Sequence, residues 1–127
     1  MFGGNDMQND KQINSALKIA NWFLARHKAE MKQDGGIDPM TQMKLHKLLY
    51  YAQGVSLAVL NQPAFSDDLL AWDHGPVVYK VYEKYRGRRA IDGEISKQQL
   101  SNYNEVSNNP DLDGVLEAVY DRYGEYS

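Results

Sequence analysis

The stretch Pro39-Met40-Thr41-Gln42-Met43-Lys44-Leu45-His46-Lys47-Leu48-Leu49-Tyr50-Tyr51-Ala52-Gln53-Gly54 decides the fold. From it and the residues just beyond, Leu45, Leu48, Leu49, Ala52, Val55, Ser56 and Val59 fall on one side of a 3.6-residue period. That is the pattern of an amphipathic helix laid on a core. The helix is expected over Pro39 to Leu60, with Asp38 as its cap, Pro39 in the first turn and Asn61-Gln62-Pro63 as its stop. Gly54 inside it costs about 0.5 to 1 kcal/mol relative to alanine. It marks either a close crossing of another segment or a tolerated glycine.

Working toward the N-terminus, Ile13, Ala16, Leu17, Ala20, Phe23, Leu24, His27 and Met31 recur at three- and four-residue steps and predict another amphipathic helix. Asn9 or Asp10 is its expected cap, and Asp34-Gly35-Gly36 its end, since glycine tolerates the left-handed conformation of a C-terminal stop. Residues 1–10 read as a disordered head.

Toward the C-terminus, Phe65 to Trp72 is too short for a period to be assigned and allows a short strand at 69–72. Gly75-Pro76 is expected to open a third helix, with Val78, Val81, Tyr82 and Tyr85 facing inward and Gly87 as its stop. Arg88 to Asn109 reads as a loop holding one short helix that starts near Ser96. Asn109-Pro110 opens a last helix striped by Leu112, Val115, Leu116, Val119 and Tyr120 and ended by Gly124. The fold class expected is mainly α: a compact single domain of four to five helices, with a short β-strand allowed near 69–72.

Bulk composition bounds the function. At 127 residues the chain suits one domain, and 43% apolar with 24% charged residues is ordinary for a folded globular protein. With no cysteine, thiol catalysis, disulfides and thiolate metal sites are excluded. No apolar run reaches the roughly 20 residues of a membrane span, and the first ten residues carry no hydrophobic signal core, so a cytoplasmic protein without membrane contact is expected. A net charge of -3 makes nucleic acid an unlikely partner unless a local basic face exists.

Two blocks carry a family resemblance. Lys44-Leu45-His46-Lys47-Leu48-Leu49-Tyr50-Tyr51-Ala52-Gln53-Gly54 resembles the Panacea helix pattern Lys-Leu-x-Lys-Leu-Leu-Tyr-Tyr-Ala-Gln-Gly at every fixed position. Ala71-Trp72-Asp73-His74-Gly75-Pro76-Val77-Val78 is similar to the same family's Ala-Trp-x-x-Gly-Pro-Val-Val segment. The chain departs from the family after Tyr123-Gly124, where members usually continue into another helix and a Leu-Thr-His, Pro-Trp type tail. The expected domain therefore spans 11–127 and lacks that tail, through either truncation or loss. The resemblance implies an antitoxin of phage or mobile-element type, SocA-like or GepA-like, that neutralises a cognate toxin by direct contact. SocA-type members instead deliver the toxin to a cellular protease, and a nucleic-acid-binding regulator of its own operon is a further alternative.

Weighed residue by residue, the three histidines His27, His46 and His74 lie on separate elements without a metal-ligand spacing, and no catalytic serine or phosphate loop is present. No enzyme, cofactor or metal site is expected. Adjacent on a helix, Tyr50 and Tyr51 point about 100° apart, so one is expected in the core and the other at the surface. Trp72 is either an anchor clamping the Gly-Pro turn or a partner-facing hot spot. His74 is expected at the mouth of the third helix, as a turn residue or beside an anion. Lys80, Lys84, Arg86, Arg88 and Arg89 form a basic run that suits a solvated face or an acidic toxin surface. The toxin-binding set expected from these readings is Trp72, His74, Gly75, Pro76, Tyr79, Lys44 and Tyr51, with the exposed side of the second helix beside it.

Overall fold

A computed structural model describes residues 13–124. The expected head at 1–10, and Asn9 and Asp10 within it, lie outside the described residues. In chain order the elements are α1 (Ala16–Gln33), β1 (Met40–Thr41), α2 (Gln42–Leu60), β2 (Leu70–Trp72), β3 (Gly75–Val77), α3 (Tyr79–Tyr85), β4 (Ala90–Ile91), α4 (Lys97–Ser107) and α5 (Pro110–Tyr123). Among the described residues, five helices with two small two-stranded antiparallel sheets make the mainly α domain that the periodicity predicts.

α1 lies along α4, and α2 lies along α5. The core between them is built from Ile19, Ala20, Trp22 and Phe23 of α1, Leu45, Leu48, Leu49 and Ala52 of α2, Val106 of α4, and Leu112, Leu116 and Val119 of α5. Trp22 has no solvent exposure, and its indole Nε1 donates to Ser107 Oγ at 3.2 Å and Asp113 Oδ1 at 3.1 Å. A buried indole N–H needs such a partner, and this one ties α1 to the α4–α5 corner. Arg26 adds a second tie, with Nε donating to Glu117 of α5 at 3.0 Å. The α2 stripe holds through Ser56 and fails at Val59, which is 67% exposed. Val59 stands on the same face as Leu48 and Ala52 but in the last turn of the helix, beyond Ser56, the last buried residue of α2.

Helix starts depart from expectation where tertiary contacts claim the backbone. α1 is capped by Ser15, whose Oγ accepts from Lys18 N, and Asp67 Oδ1 accepts from Ala16 N at 2.9 Å. α2 begins at Gln42 behind a Thr41 cap rather than at Pro39. Met40 and Thr41 are instead extended, paired with Ile91 and Ala90, and the Asp38 carbonyl bonds the His27 ring at 2.7 Å. Gly35 and Gly36 keep negative φ, so α1 ends without a left-handed glycine. Among the described glycines only Gly75, Gly87 and Gly93 have positive φ. Gly54 is exposed, and a Cβ placed there meets nothing within 4 Å, so none of the described residues crosses it.

The signature glutamine has a structural role. Gln53 Oε1 accepts from Ala64 N at 2.8 Å and Phe65 N at 3.2 Å, while its Nε2 donates to Phe65 O at 2.9 Å. Ser56 Oγ donates to Gln62 O at 2.7 Å. The Gln53 bonds replace water for the backbone of the buried Ala64 and Phe65, and with the Ser56 bond they hold the approach to β2 against α2.

Candidate functional site

Beyond Phe65 the chain forms a hairpin in which Leu70, Ala71 and Trp72 pair with Val77, Pro76 and Gly75. The short strand allowed at 69–72 is present, but Gly75-Pro76 belongs to its partner strand and not to a helix. Gly75 sits at φ +119°, a backbone state open to glycine, where it closes the turn through Asp73 and His74. Val78 then caps α3 without a side-chain hydrogen bond, so His74 stands in the hairpin loop and not at a helix mouth.

β3 packs on α2, and between the hairpin, α2 and the first turn of α3 lies a cleft of about 390 Å³. That size falls in the range of specific ligand sites, which are mostly apolar with a few polar groups. Its hairpin wall carries Trp72, His74, Gly75, Pro76 and Val77; its α2 wall carries Gln42, Met43, His46, Lys47, Tyr50 and Tyr51; Tyr82 comes from α3. The aromatic rings brace one another. Trp72 meets Tyr82 edge-on at 4.8 Å and lies nearly parallel to His74 at 6.3 Å. Tyr51 stacks on Tyr123 at 3.8 Å and meets Tyr50 edge-on at 5.5 Å. Tyr50 is 48% exposed while Tyr51 is partly buried against the core, so the adjacent pair splits between outside and inside. Trp72 is half-buried, with its surroundings fixed by Tyr82 and with a face left on the cleft.

The polar groups of the cleft are few. Gln42 Nε2 donates to the carbonyl oxygens of Tyr85 at 3.2 Å and Arg88 at 3.4 Å, which fixes the end of α3 to α2. His46 is buried to 8% exposure, and that burial alone pushes its pKa below the usual histidine value, leaving a neutral imidazole.

Of the seven residues expected to bind a toxin, Trp72, His74, Gly75, Pro76 and Tyr51 converge on this one cleft. Tyr79 is not part of its lining; it is 46% exposed on α3 with its ring 6.2 Å from Tyr82. Lys44 faces elsewhere, with its Nζ donating to Gly124 O at 2.5 Å at the end of α5. It borders a second hollow beside His27 and Tyr120. There the His27 ring is fully used: Nε2 donates to Asp38 O at 2.7 Å, so Nδ1 accepts from the Tyr120 hydroxyl at 2.8 Å. Burial lowers the His27 pKa and pushes that of Tyr120 up to about 12, which keeps both neutral.

Gln42, His46 and Tyr82 line the cleft but were not in the binding set expected from the sequence. The signal for the first two was the i, i+4 series Gln42, His46, Tyr50, which places them on one flank of α2 beside the exposed side. The basic run is exposed at Lys80, Lys84, Arg86, Arg88 and Arg89, on α3 and the turn after it. Among the described residues no group of three histidines or acids is placed to hold a metal, and no helix is long and apolar enough to cross a membrane.

The family profile described as antitoxin SocA-like, Panacea domain, matches residues 45–127. No curated protein and no solved structure matches the chain. The matched span takes in all of the cleft lining except Gln42 and Met43.

Proposed function

This chain belongs to the SocA-like Panacea antitoxin family, and on that premise we propose that it neutralises a cognate toxin by direct protein contact through the cleft between α2 and the β2–β3 hairpin. The observation that carries the reading is the convergence of both signature blocks on one aromatic-lined recess. Residues 44–54 supply one wall through α2, and 71–78 supply the other through the hairpin. Braced tyrosine and tryptophan rings around a recess are the residue types that dominate binding energy at protein interfaces, because they bury a large area with little side-chain entropy to lose. Around the recess, Met43 at 65%, Tyr50 at 48% and Leu57 at 50% exposure follow one another every seven residues along α2 and extend the apolar surface. The exposed cations of α3 and its following turn lie beside it and favour a toxin with an acidic rim, raising the rate of encounter more than the final affinity.

The partner is sought among products of the gene next to this one, as in a toxin–antitoxin system of phage or mobile-element type. Co-expression with that product in cytoplasm tests the reading: growth is restored by the wild-type chain and is not restored by Trp72→Ala at equal soluble level. Toxin half-life in the same cells separates stoichiometric neutralisation from delivery to a protease. A constant half-life belongs to the first, and a half-life that shortens only when an energy-dependent protease is present belongs to the second.

A further inference from the structure

The cleft contains a histidine for which the fold finds no use. Neither Nδ1 nor Nε2 of His46 has a hydrogen-bond partner, although the residue is 8% exposed. One turn earlier on the same flank, Gln42 Oε1 is also buried and unpartnered. His27 makes the contrast: it is 4% exposed and both of its nitrogens are engaged. A buried polar atom without a partner is destabilising, and where native structures keep one it calls for a functional reason. A leucine at position 46 would avoid the cost.

The chemistry of the walls narrows what satisfies this ring. A carboxylate or ammonium group would shed its water among Trp72, Pro76, Val77 and Tyr82 beside a neutral imidazole, which is unfavourable, and the cation of the lining, Lys47, is an exposed side chain while His46 is buried. Small neutral groups such as a serine hydroxyl leave the aromatic walls uncovered. A phenol meets both demands: its ring packs edge-on or offset against Trp72, Tyr50 and Tyr82, and its hydroxyl donates as well as accepts. A half-turn of the imidazole about its Cβ–Cγ bond exchanges ring carbons with nitrogens at unchanged volume, and a neutral imidazole offers one donor and one acceptor nitrogen. We propose, resting on the cleft as the toxin site, that His46 receives the hydroxyl of a single tyrosine side chain which the toxin inserts between α2 and the hairpin.

The test uses p-cresol, the tyrosine side chain without its backbone, against toluene, which has the same ring without the hydroxyl. Both are titrated into the ¹⁵N-labelled full chain and followed by NMR, including the His46 ring nitrogens. The expected result is that p-cresol binds about fivefold more tightly than toluene, the factor of one net hydrogen bond. It moves the His46 nitrogen resonances, and the preference disappears in His46→Phe. Equal binding of the two probes, unmoved His46 nitrogens, or a preference that survives in His46→Phe each overturns the proposal. The wild-type comparison needs no variant, and His46→Leu replaces His46→Phe if the latter loses its helical circular dichroism. Should Trp72→Ala abolish toxin neutralisation while p-cresol ignores His46, the tyrosine proposal falls alone. Should toxin binding be indifferent to Trp72→Ala, both fall.

Discussion

Replacing Gln53 with leucine removes the clamp between α2 and the chain that leads into the hairpin. The side chain makes three hydrogen bonds to backbone: from Ala64 N, from Phe65 N and to Phe65 O. Ala64 is 1% exposed and Phe65 is fully buried, so water cannot substitute without the segment moving. Each unmet buried group costs about 1 to 3 kcal/mol. With partial relaxation of a three-bond set, a total loss of about 3 kcal/mol is expected for Gln53→Leu. Against a usual total stability of about 5 to 15 kcal/mol this is a large fraction. With a urea slope of about 1.5 kcal/mol per molar, the unfolding midpoint drops by about 2 M. Gln53→Glu retains an acceptor for the two N–H groups but turns a carboxylate toward Phe65 O, so it falls between wild type and Gln53→Leu. Equilibrium urea unfolding followed by far-UV circular dichroism measures both. A midpoint loss under about 0.5 M for Gln53→Leu would falsify the claim that this residue is kept for its backbone contacts.

Trp22→Phe removes the indole donor to Ser107 and Asp113 along with part of a fully buried ring, and is expected to cost about 2 kcal/mol in the same unfolding assay. Gly54→Ala is expected to stabilise the free chain by about 0.5 to 1 kcal/mol, because a Cβ there meets nothing within 4 Å; a loss of stability would show an internal crossing at this glycine. His27 and His46 are both held below the ordinary histidine pKa by burial. The unfolded chain therefore takes up protons near pH 6.5 that the folded chain refuses, so their contribution to stability is full above that pH and declines as pH falls through and below it. Urea midpoints between pH 7.5 and pH 5 are expected to fall, with the His27 ring in its Nε2–H tautomer at pH 7.5 by ¹⁵N NMR; an Nδ1–H tautomer there contradicts the assignment.

What the sequence made legible is what depends on local periodicity. α5 was readable from Pro110 and the stripe through Tyr120, every member of which is buried. The body and end of α2 were readable for the same reason, and Asn61 supplies its left-handed stop at φ +58°. The start of α2 was not, because Met40 and Thr41 are claimed by Ile91 and Ala90 about 50 residues away, and a two-residue strand has no period to detect. Gly75-Pro76 misled in another way: a glycine followed by proline suits a helix entry and a hairpin return equally, and only the pairing of Val77 with Leu70 selects the second.

The site divides along the same line. Trp72, His74, Gly75, Pro76 and Tyr51 were found through the two signature blocks, and the cleft unites them. Lys44 belongs to the same block but points to Gly124, since side chains on one helix part company within a residue or two. His46 was passed over because its significance lies in what it lacks, two hydrogen-bond partners, and a missing partner is a property of the packed structure alone.

The most direct measurement of the central claim is the dissociation constant between this chain and the product of its neighbouring gene, by calorimetry, for wild type, Trp72→Ala and Leu100→Ala. Leu100 is 51% exposed on α4, outside the cleft lining, and serves as the control. The cleft account predicts that Trp72→Ala weakens binding by at least about 30-fold, the scale of an interface hot spot of 2 kcal/mol, while Leu100→Ala leaves it within about twofold. A complex that tolerates Trp72→Ala, or that is lost with Leu100→Ala, places the interface elsewhere and contradicts the account.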